Sequence, residues 1–179
     1  LRDLALKPNP DKKNFYMGSK VKITNLDTAE TKVALVPYYV NASNYIMVML
    51  SKWASAPNPT LIITGKVNGT FIGGGEWHEY QISYDFANAT NNVEAGIQDD
   101  RVLIYLNGSP TPQVNASISG VSTRSLTGQQ TGFYFFNCDC LFDDFVLCSD
   151  TRTYQVTEKP VISIILGKKV TEGFVGDVI

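Results

Sequence analysis

The stretch that decides the fold runs from Arg101 to Gly108 and reads RVLIYLNG. Its first six residues are mostly apolar and rich in β-forming side chains. The run then stops at Asn107-Gly108, the dipeptide that best tolerates the positive φ angles of a tight β-hairpin. We therefore predict a β-strand that turns back at this point.

Similar short runs recur at intervals of about ten residues along the chain, separated by Gly, Pro, Asn and Asp. The segment Tyr80–Phe86 alternates apolar with polar residues, as in a strand with one buried face. Tyr45–Leu50 is continuously apolar, which indicates a strand covered on both faces. The remaining runs are Val21–Ile23, Val33–Val36, Leu61–Thr64, Phe133–Phe136 and Leu141–Leu147.

No window of the sequence shows apolar residues at helical spacing between capping residues. Regularly spaced short strands without helices are typical of two packed antiparallel sheets. The predicted fold class is therefore all-β, a two-sheet antiparallel β-sandwich of the jelly-roll type.

Composition excludes several classes of protein. Hydrophobic residues make up 44% of the 179 residues and charged residues 18%, so the chain can bury a core and disorder is excluded for most of it. Fifteen Lys and Arg against seventeen Asp and Glu leave a net charge of −2, without the basic stripe that a nucleic-acid partner requires. No apolar run is long enough for a membrane span. Leu1 in place of Met indicates a processed or excised piece.

The chain divides into a sandwich over residues 1–152 and a C-terminal extension over 153–179. Pro160 interrupts the chain, and the apolar run Val161–Leu166 then predicts one further strand, with a weaker run to Ile179. This extension is an edge strand of the same domain, a linker to a further module, or a strand that pairs with a neighbouring subunit.

The three cysteines, Cys138, Cys140 and Cys148, allow at most one disulfide. Cys138 and Cys140 share one face of an extended strand, so buried thiols or one bridge are both open, and a zinc site is disfavoured. Five Asn-x-Ser/Thr sequons are present, a mild excess that predicts an extracellular or cell-surface glycoprotein. Their asparagines are Asn41, Asn68, Asn88, Asn107 and Asn115.

Four motifs in order resemble the laminin-G-like branch of the concanavalin A-like jelly rolls. Asn44–Leu50 resembles one of their strands, and Gly75–Tyr80 (GEWHEY) resembles their strand opening with Trp-His. Arg101–Gly108 resembles their Tyr-containing hairpin, and Thr131–Phe136 followed by Phe142–Leu147 resembles their closing pair of strands. The resemblance covers about residues 14–150.

The resemblance implies one concave sheet, frequent glycan binding and sometimes a structural calcium ion; no other cofactor is required. Calcium would be held by Asp143 or Asp144 with oxygen ligands from Asp11 or Asn14. It also implies that Trp77 packs inside the sandwich.

Catalysis is not expected. Asp143 and Asp144 are adjacent, and neighbouring residues of a regular strand point to opposite faces, so they cannot flank one glycosidic bond. The Glu-x-Asp-x-x-Glu pattern of jelly-roll glucanases is absent, and the single histidine, His78, has no nucleophile at recognisable spacing.

The predicted glycan-binding residues are aromatic, because rings stack on the C–H groups of a pyranose. Trp53 sits at a strand end before the loop 54–59, and Tyr38, Tyr39 and Tyr105 are the further candidates. We predict a non-catalytic carbohydrate-binding domain with a polysaccharide or glycan as partner.

Two alternatives remain open. The chain can be a structural subunit of a self-assembling, glycosylated filament or layer, in which the C-terminal strand pairs with another copy. The least supported alternative is a hydrolase or lyase on the same scaffold.

Overall fold

A computed structural model describes residues 2–8, 13–26, 30–53, 60–82, 89–149 and 164–166. The described residues form thirteen β-strands and two single turns of 3₁₀ helix, Ile72–Gly74 and Val121–Thr123, with no α-helix among them. None of the described helical segments is therefore long enough to cross a membrane. The strands are β1 (Arg2–Pro8), β2 (Phe15–Leu26), β3 (Glu30–Asn41), β4 (Asn44–Trp53), β5 (Thr60–Val67), β6 (Thr70–Phe71), β7 (His78–Gln81), β8 (Asn91–Gln98), β9 (Arg101–Leu106), β10 (Val114–Ser117), β11 (Gln130–Phe136), β12 (Cys138–Ser149) and β13 (Ile164–Leu166).

The strands make two antiparallel sheets. The first sheet has the order β1-β11-β3-β4-β5-β6, and β7 also pairs with β5. The second sheet has the order β10-β9-β8-β2-β12-β13. The predicted all-β sandwich of jelly-roll type is thus confirmed.

Side chains alternate between the two faces along each strand, and the inward-pointing ones form the core between the sheets. In β4, Ile46, Val48 and Leu50 point into the space between the sheets and are at most 3% exposed. Met49 faces the other way and is also buried, which confirms that this strand is covered on both faces. Burial of such side chains is the main favourable term in folding, about 25 cal/mol per Å² of apolar surface.

Phenylalanine rings join the two sheets. Phe133 of β11 stacks on Phe142 of β12 with ring centroids 4.1 Å apart, and it meets Phe145 edge-on at 5.6 Å. Because β11 belongs to the first sheet and β12 to the second, these contacts fasten one sheet to the other. Aromatic pairs of this geometry add to the stabilisation from buried area.

The hairpin after β9 is longer than the sequence predicts. Asn107 and Gly108 do adopt positive φ angles of 51° and 74°. Strand β10 nevertheless starts at Val114, and residues 107–113 form the connection. Pro110 and Pro112 lie in that connection, and proline cannot donate to a strand ladder, so pairing resumes only beyond them.

The C-terminal extension is described only at β13. Its three residues pair antiparallel with Cys140–Phe142 of β12 in the same chain, at the edge of the second sheet. The rest of 153–179 lies outside the described residues, and so does most of the predicted alternating strand beyond Ile82.

Candidate functional site

The three tyrosines among the predicted glycan-binding residues do not come together in the described part of the fold. Tyr38 belongs to the interior cluster and is fully buried, so its ring cannot contact a sugar. Tyr39 is half-buried and lies opposite Tyr45 on the outer face of the first sheet. Tyr105 lies on the outer face of the second sheet, and the side chain of Trp53 is outside the described part of the chain.

Tyr105 is packed in an aromatic cluster instead of standing open. It is 8% exposed and lies beside Leu103 and Tyr16, whose ring centroid is 6.3 Å from its own. The hydroxyl of Tyr16 accepts a hydrogen bond of 2.7 Å from Gln98 Nε2. In this arrangement Tyr105 offers little surface to a ligand.

Trp77 is the exposed aromatic residue that the sequence analysis placed wrongly. It is 39% exposed and is the one large apolar side chain exposed among the described residues. The expectation of a buried ring came from the resemblance to laminin-G-like domains and is incorrect for this chain. Trp77 follows the 3₁₀ turn Ile72–Gly74 and precedes β7, so it is held at the side of the first sheet.

His78 anchors the segment that carries Trp77. Its Nε2 lies 2.9 Å from the carbonyl oxygen of Ile72, and because a carbonyl only accepts, Nε2 carries the hydrogen. Gly73 fits beneath this ring with a positive φ of 63°; a Cβ there would lie 2.6 Å from His78 Cε1. The single histidine thus holds a turn in place.

Lys32 of β3 contacts Trp77 across the outer face of the first sheet. Its Nζ lies 4.8 Å from the centroid of the Trp77 ring and 5.7 Å from that of Phe136. The same ammonium lies 2.7 Å from Glu30 Oε1. Lys32 is on β3 and Trp77 precedes β7, so the contact spans the outer face above β4 and β5, and cation–π attraction stabilises it.

The side chains beneath the contact between Lys32 and Trp77 are apolar. Ala34, Met49 and Ile62, from β3, β4 and β5, form a small buried cluster on the outer face, and Met47 and Tyr134 pack against it. The outer face of the first sheet therefore differs from the polar, fully solvated face common in antiparallel sheets.

Polar groups lie next to Trp77. The hydroxyl of Thr64 donates a hydrogen bond of 2.6 Å to the carbonyl oxygen of Glu76. Burial raises the pKa of Tyr45; a hydrogen bond with Thr64 opposes that rise and the negative charge of Glu76 adds to it. We call Lys32, Tyr45, Thr64, Glu76 and Trp77 the outer-face cluster; it combines an exposed ring with hydroxyl, carboxylate and ammonium groups.

Asp143 and Asp144 lie on a β-bulge, which breaks the regular alternation assumed from the sequence. Phe142 and Phe145 both pack towards the interior, with the two aspartates between them, and Asp144 has a φ of 52°. Asp144 forms an ion pair with Lys20, and Asp143 Oδ1 accepts the backbone N–H of Asp144 at 2.8 Å.

The two calcium ligands predicted in the N-terminal part of the chain either already accept a hydrogen bond or lie outside the described residues. Asn14 Oδ1 accepts the backbone N–H of Asp99 at 3.0 Å, and Asp11 is outside the described residues. In the part of the chain that the structure describes, no group of three or more His, Cys, Asp or Glu side chains is placed to hold a metal ion.

The structure shows no disulfide at Cys138 or Cys140 of β12. Cys138 and Cys140 are free thiols on the inner side of the strand, and Cys140 is buried in the core. A hydrogen bond between the two lowers the pKa of Cys138, and the same bond, with burial, raises that of Cys140. The side chain of Cys148 is outside the described residues.

Four of the five sequon asparagines are described, and all four are exposed: Asn41, Asn68, Asn107 and Asn115. Asn88 lies outside the described residues. Exposure is what attachment of a glycan requires, but it is also what turn residues show without modification.

Solved structures match this chain in fold, whereas neither a protein-family model nor a curated protein matches it. Sheep galectin-11 gives a TM-score of 0.59 at 5% identity, over 82% of this chain and 98% of its own. The carbohydrate-binding module CBM66 from Bacillus subtilis gives 0.53 at 17% identity, over 81% and 78%. A glycoside hydrolase family protein from Mycobacterium thermorestibile gives 0.57 at 8% identity, over 82% and 67%.

These likenesses establish the fold. The chain has the fold of a concanavalin A-like jelly-roll β-sandwich, as the four sequence motifs predict. Because the same fold carries both binding modules and enzymes, function has to be argued from the side chains on its surface.

Proposed function

We propose that this chain is a non-catalytic carbohydrate-binding β-sandwich whose binding surface is the outer-face cluster. The observation that carries the proposal is the exposure of Trp77 beside hydroxyl, carboxylate and ammonium groups on one face of the first sheet. An indole ring that is open to solvent beside hydrogen-bonding groups offers apolar area on which a ligand can stack and polar groups that can orient it.

The chemistry of the cluster suits a sugar. The flat indole of Trp77 can stack on the C–H groups of a pyranose ring, and its attachment to Lys32 orients it before the ligand arrives. Tyr45 and Glu76 provide a hydroxyl and a carboxylate group that can exchange hydrogen bonds with the sugar hydroxyls, and the buried Thr64 holds both residues through its own hydrogen bonds. No cofactor is needed for this mode of binding.

The fold likenesses support the same function. Sheep galectin-11 and the carbohydrate-binding module CBM66 have the same sandwich fold as this chain. The glycoside hydrolase family protein has the same fold, so the enzyme alternative is included in the test below. Against catalysis in this chain stand His78, which is bonded to the carbonyl of Ile72, and Asp144, which is paired with Lys20.

An extracellular location belongs to the same proposal. The sequons at Asn41, Asn68 and Asn115 are exposed, and a glycan on any of them would lie away from the interior. A cell-surface or secreted domain would also meet polysaccharide outside the cell.

The test is a glycan array probed with the purified chain, followed by titration calorimetry of any ligand found. Trp77→Ala is expected to weaken binding by about tenfold, which corresponds to about 1.4 kcal/mol. Trp77→Phe should retain part of the affinity, because a smaller ring still stacks. Both variants should keep the wild-type circular dichroism spectrum, because Trp77 is partly exposed.

Arg101→Ala is the matched control, since Arg101 is an exposed side chain of β9 in the opposite sheet. It should bind as the wild type does. A folded wild-type chain that binds no glycan would refute the proposed function, and release of reducing sugar from a polysaccharide would show an enzyme instead. Unchanged binding by Trp77→Ala would remove the outer-face cluster as the site.

A further inference from the structure

Tyr39 places a further aromatic ring next to the outer-face cluster. It is the register partner of Tyr45 on the neighbouring strand, and both side chains are half-buried. Because Tyr38 belongs to the interior cluster, its neighbour Tyr39 points to the outer face, as Tyr45 does. The Cβ atoms of directly opposite residues on one face of an antiparallel pair lie about 5 Å apart. The two tyrosine side chains are therefore neighbours.

Hydrogen bonds connect this pair of tyrosines to Trp77. The hydroxyl of Thr64 donates to the carbonyl oxygen of Glu76 at 2.6 Å, and Thr64 also forms a hydrogen bond with Tyr45. Trp77 is the residue after Glu76, and the register of β7 on β5 continues in that direction, so Trp77 lies beside Thr64. Trp77, Tyr45 and Tyr39 thus follow one another across the outer face.

The path over these three rings is longer than one sugar. Trp77 lies on the β7 side of β5, and Tyr45 and Tyr39 lie on β4 and β3, the next strands of the sheet. Neighbouring strands are about 4.8 Å apart, so the path is about 14 Å long, which about three pyranose residues of an extended chain would cover. A single pyranose can stack on only one of the rings.

The tyrosines offer the same kind of contact as the tryptophan. A half-buried tyrosine presents an apolar face to the C–H groups of a pyranose and a hydroxyl at its edge. Once one sugar is held at Trp77, the next sugars of the same chain reach Tyr45 and Tyr39 without a new loss of translational freedom. Affinity should therefore increase with the length of the chain until the path is filled.

We propose that the outer-face cluster extends to Tyr39 and binds an internal stretch of a polysaccharide, about three or more consecutive pyranose residues, with Trp77 and Tyr39 contacting different sugars. This inference rests on the proposed function and adds the class of ligand to it. A site for single terminal sugars would need only the surroundings of Trp77.

The wild-type chain is tested by titration calorimetry with series of oligosaccharides that contain one to six residues of glucose, xylose, mannose, galactose or N-acetylglucosamine. We expect at least one series to bind, with an affinity that rises about tenfold or more from the disaccharide to the tetrasaccharide and then stays level. A disaccharide that binds as tightly as the hexasaccharide would overturn the inference and leave carbohydrate binding intact. Binding to none of the series would overturn it as well, while the glycan array decides separately whether the chain binds carbohydrate.

Tyr39 provides the matched variants. Tyr39→Ala removes the ring, so the affinity for the hexasaccharide of the bound series should fall about fivefold, while the affinity for the disaccharide stays the same and shows that the site is folded. Tyr39→Phe keeps the ring and should bind both lengths as the wild type does. An unchanged affinity of Tyr39→Ala for the hexasaccharide, or an equal loss for both lengths, would refute the extended site. The measurements on the wild-type chain decide the question if Tyr39→Ala does not fold.

Discussion

At the scale of single residues, Gly96 shows how close contacts set the outer face of the second sheet. Tyr16 lies across it, and a Cβ built on Gly96 would lie 2.3 Å from Tyr16 Cε1 and 2.6 Å from Cδ1. The ring cannot move aside cheaply, because Tyr16 is buried and its hydroxyl is bonded to Gln98.

We therefore expect Gly96→Ala to lower the free energy of unfolding by about 1–3 kcal/mol, the usual cost of overpacking. Urea denaturation followed by circular dichroism measures it. Gly75→Ala is the control, because Gly75 has an extended backbone and the nearest atom to its Cβ is 4.0 Å away. Equal stability of Gly96→Ala and the wild type would show that Tyr16 is mobile.

Trp77 shows what residue type alone does not reveal. Its motif resembles one in which the tryptophan is buried, and its hydrophobicity favours the same position. The ring is exposed because the turn Ile72–Gly74 places it beside β5, and the hydrogen bond from His78 to Ile72 holds that turn. The glycine run 73–75 was a visible signal of a turn, but not of the direction in which the next side chain points.

At the scale of strands, short apolar runs were sufficient to locate several of the paired elements. The runs Val33–Val36, Tyr45–Leu50 and Leu61–Thr64 all lie within neighbouring strands of the first sheet. Strand β8, with the sequence NNVEAGIQ, carried too little hydrophobicity to be recognised, because its outward residues are Glu94 and Gly96. Its burial depends on the strands beside it.

The contact between β11 and β12 makes a prediction at this scale. Phe133→Ala removes the ring that stacks on Phe142 and leaves a cavity between the sheets, so we expect a loss of about 3–5 kcal/mol in the free energy of unfolding. Tyr134→Ala, one residue away on the outer face and only half-buried, should cost less. Guanidinium denaturation of both variants measures the difference; equal losses would mean that the rings do not join the sheets.

At the scale of the whole molecule, the position of β13 bears on the distinction between a binding module and an assembly subunit. Ile164–Leu166 pair with β12 of their own chain. In the described part of the extension three residues make this pairing, so we expect a chain ending at Lys159 to remain folded, monomeric and able to bind glycan.

Size-exclusion chromatography with light scattering, together with the array, tests this expectation. The full chain at the same concentration is the control. If the full chain formed polymers and the shortened chain did not, the filament or layer subunit would replace the binding module as the function.

The sequence by itself determined the class of fold. Short apolar runs broken by turn residues can bury their side chains only as two packed sheets. It did not determine which aromatic residues share a surface. Tyr38, Tyr39 and Tyr105 look alike in the sequence, yet one is inside and the others lie on opposite sheets. That outcome depends on strand register and on the order in which distant strands pair, and these are decided only when the whole chain packs.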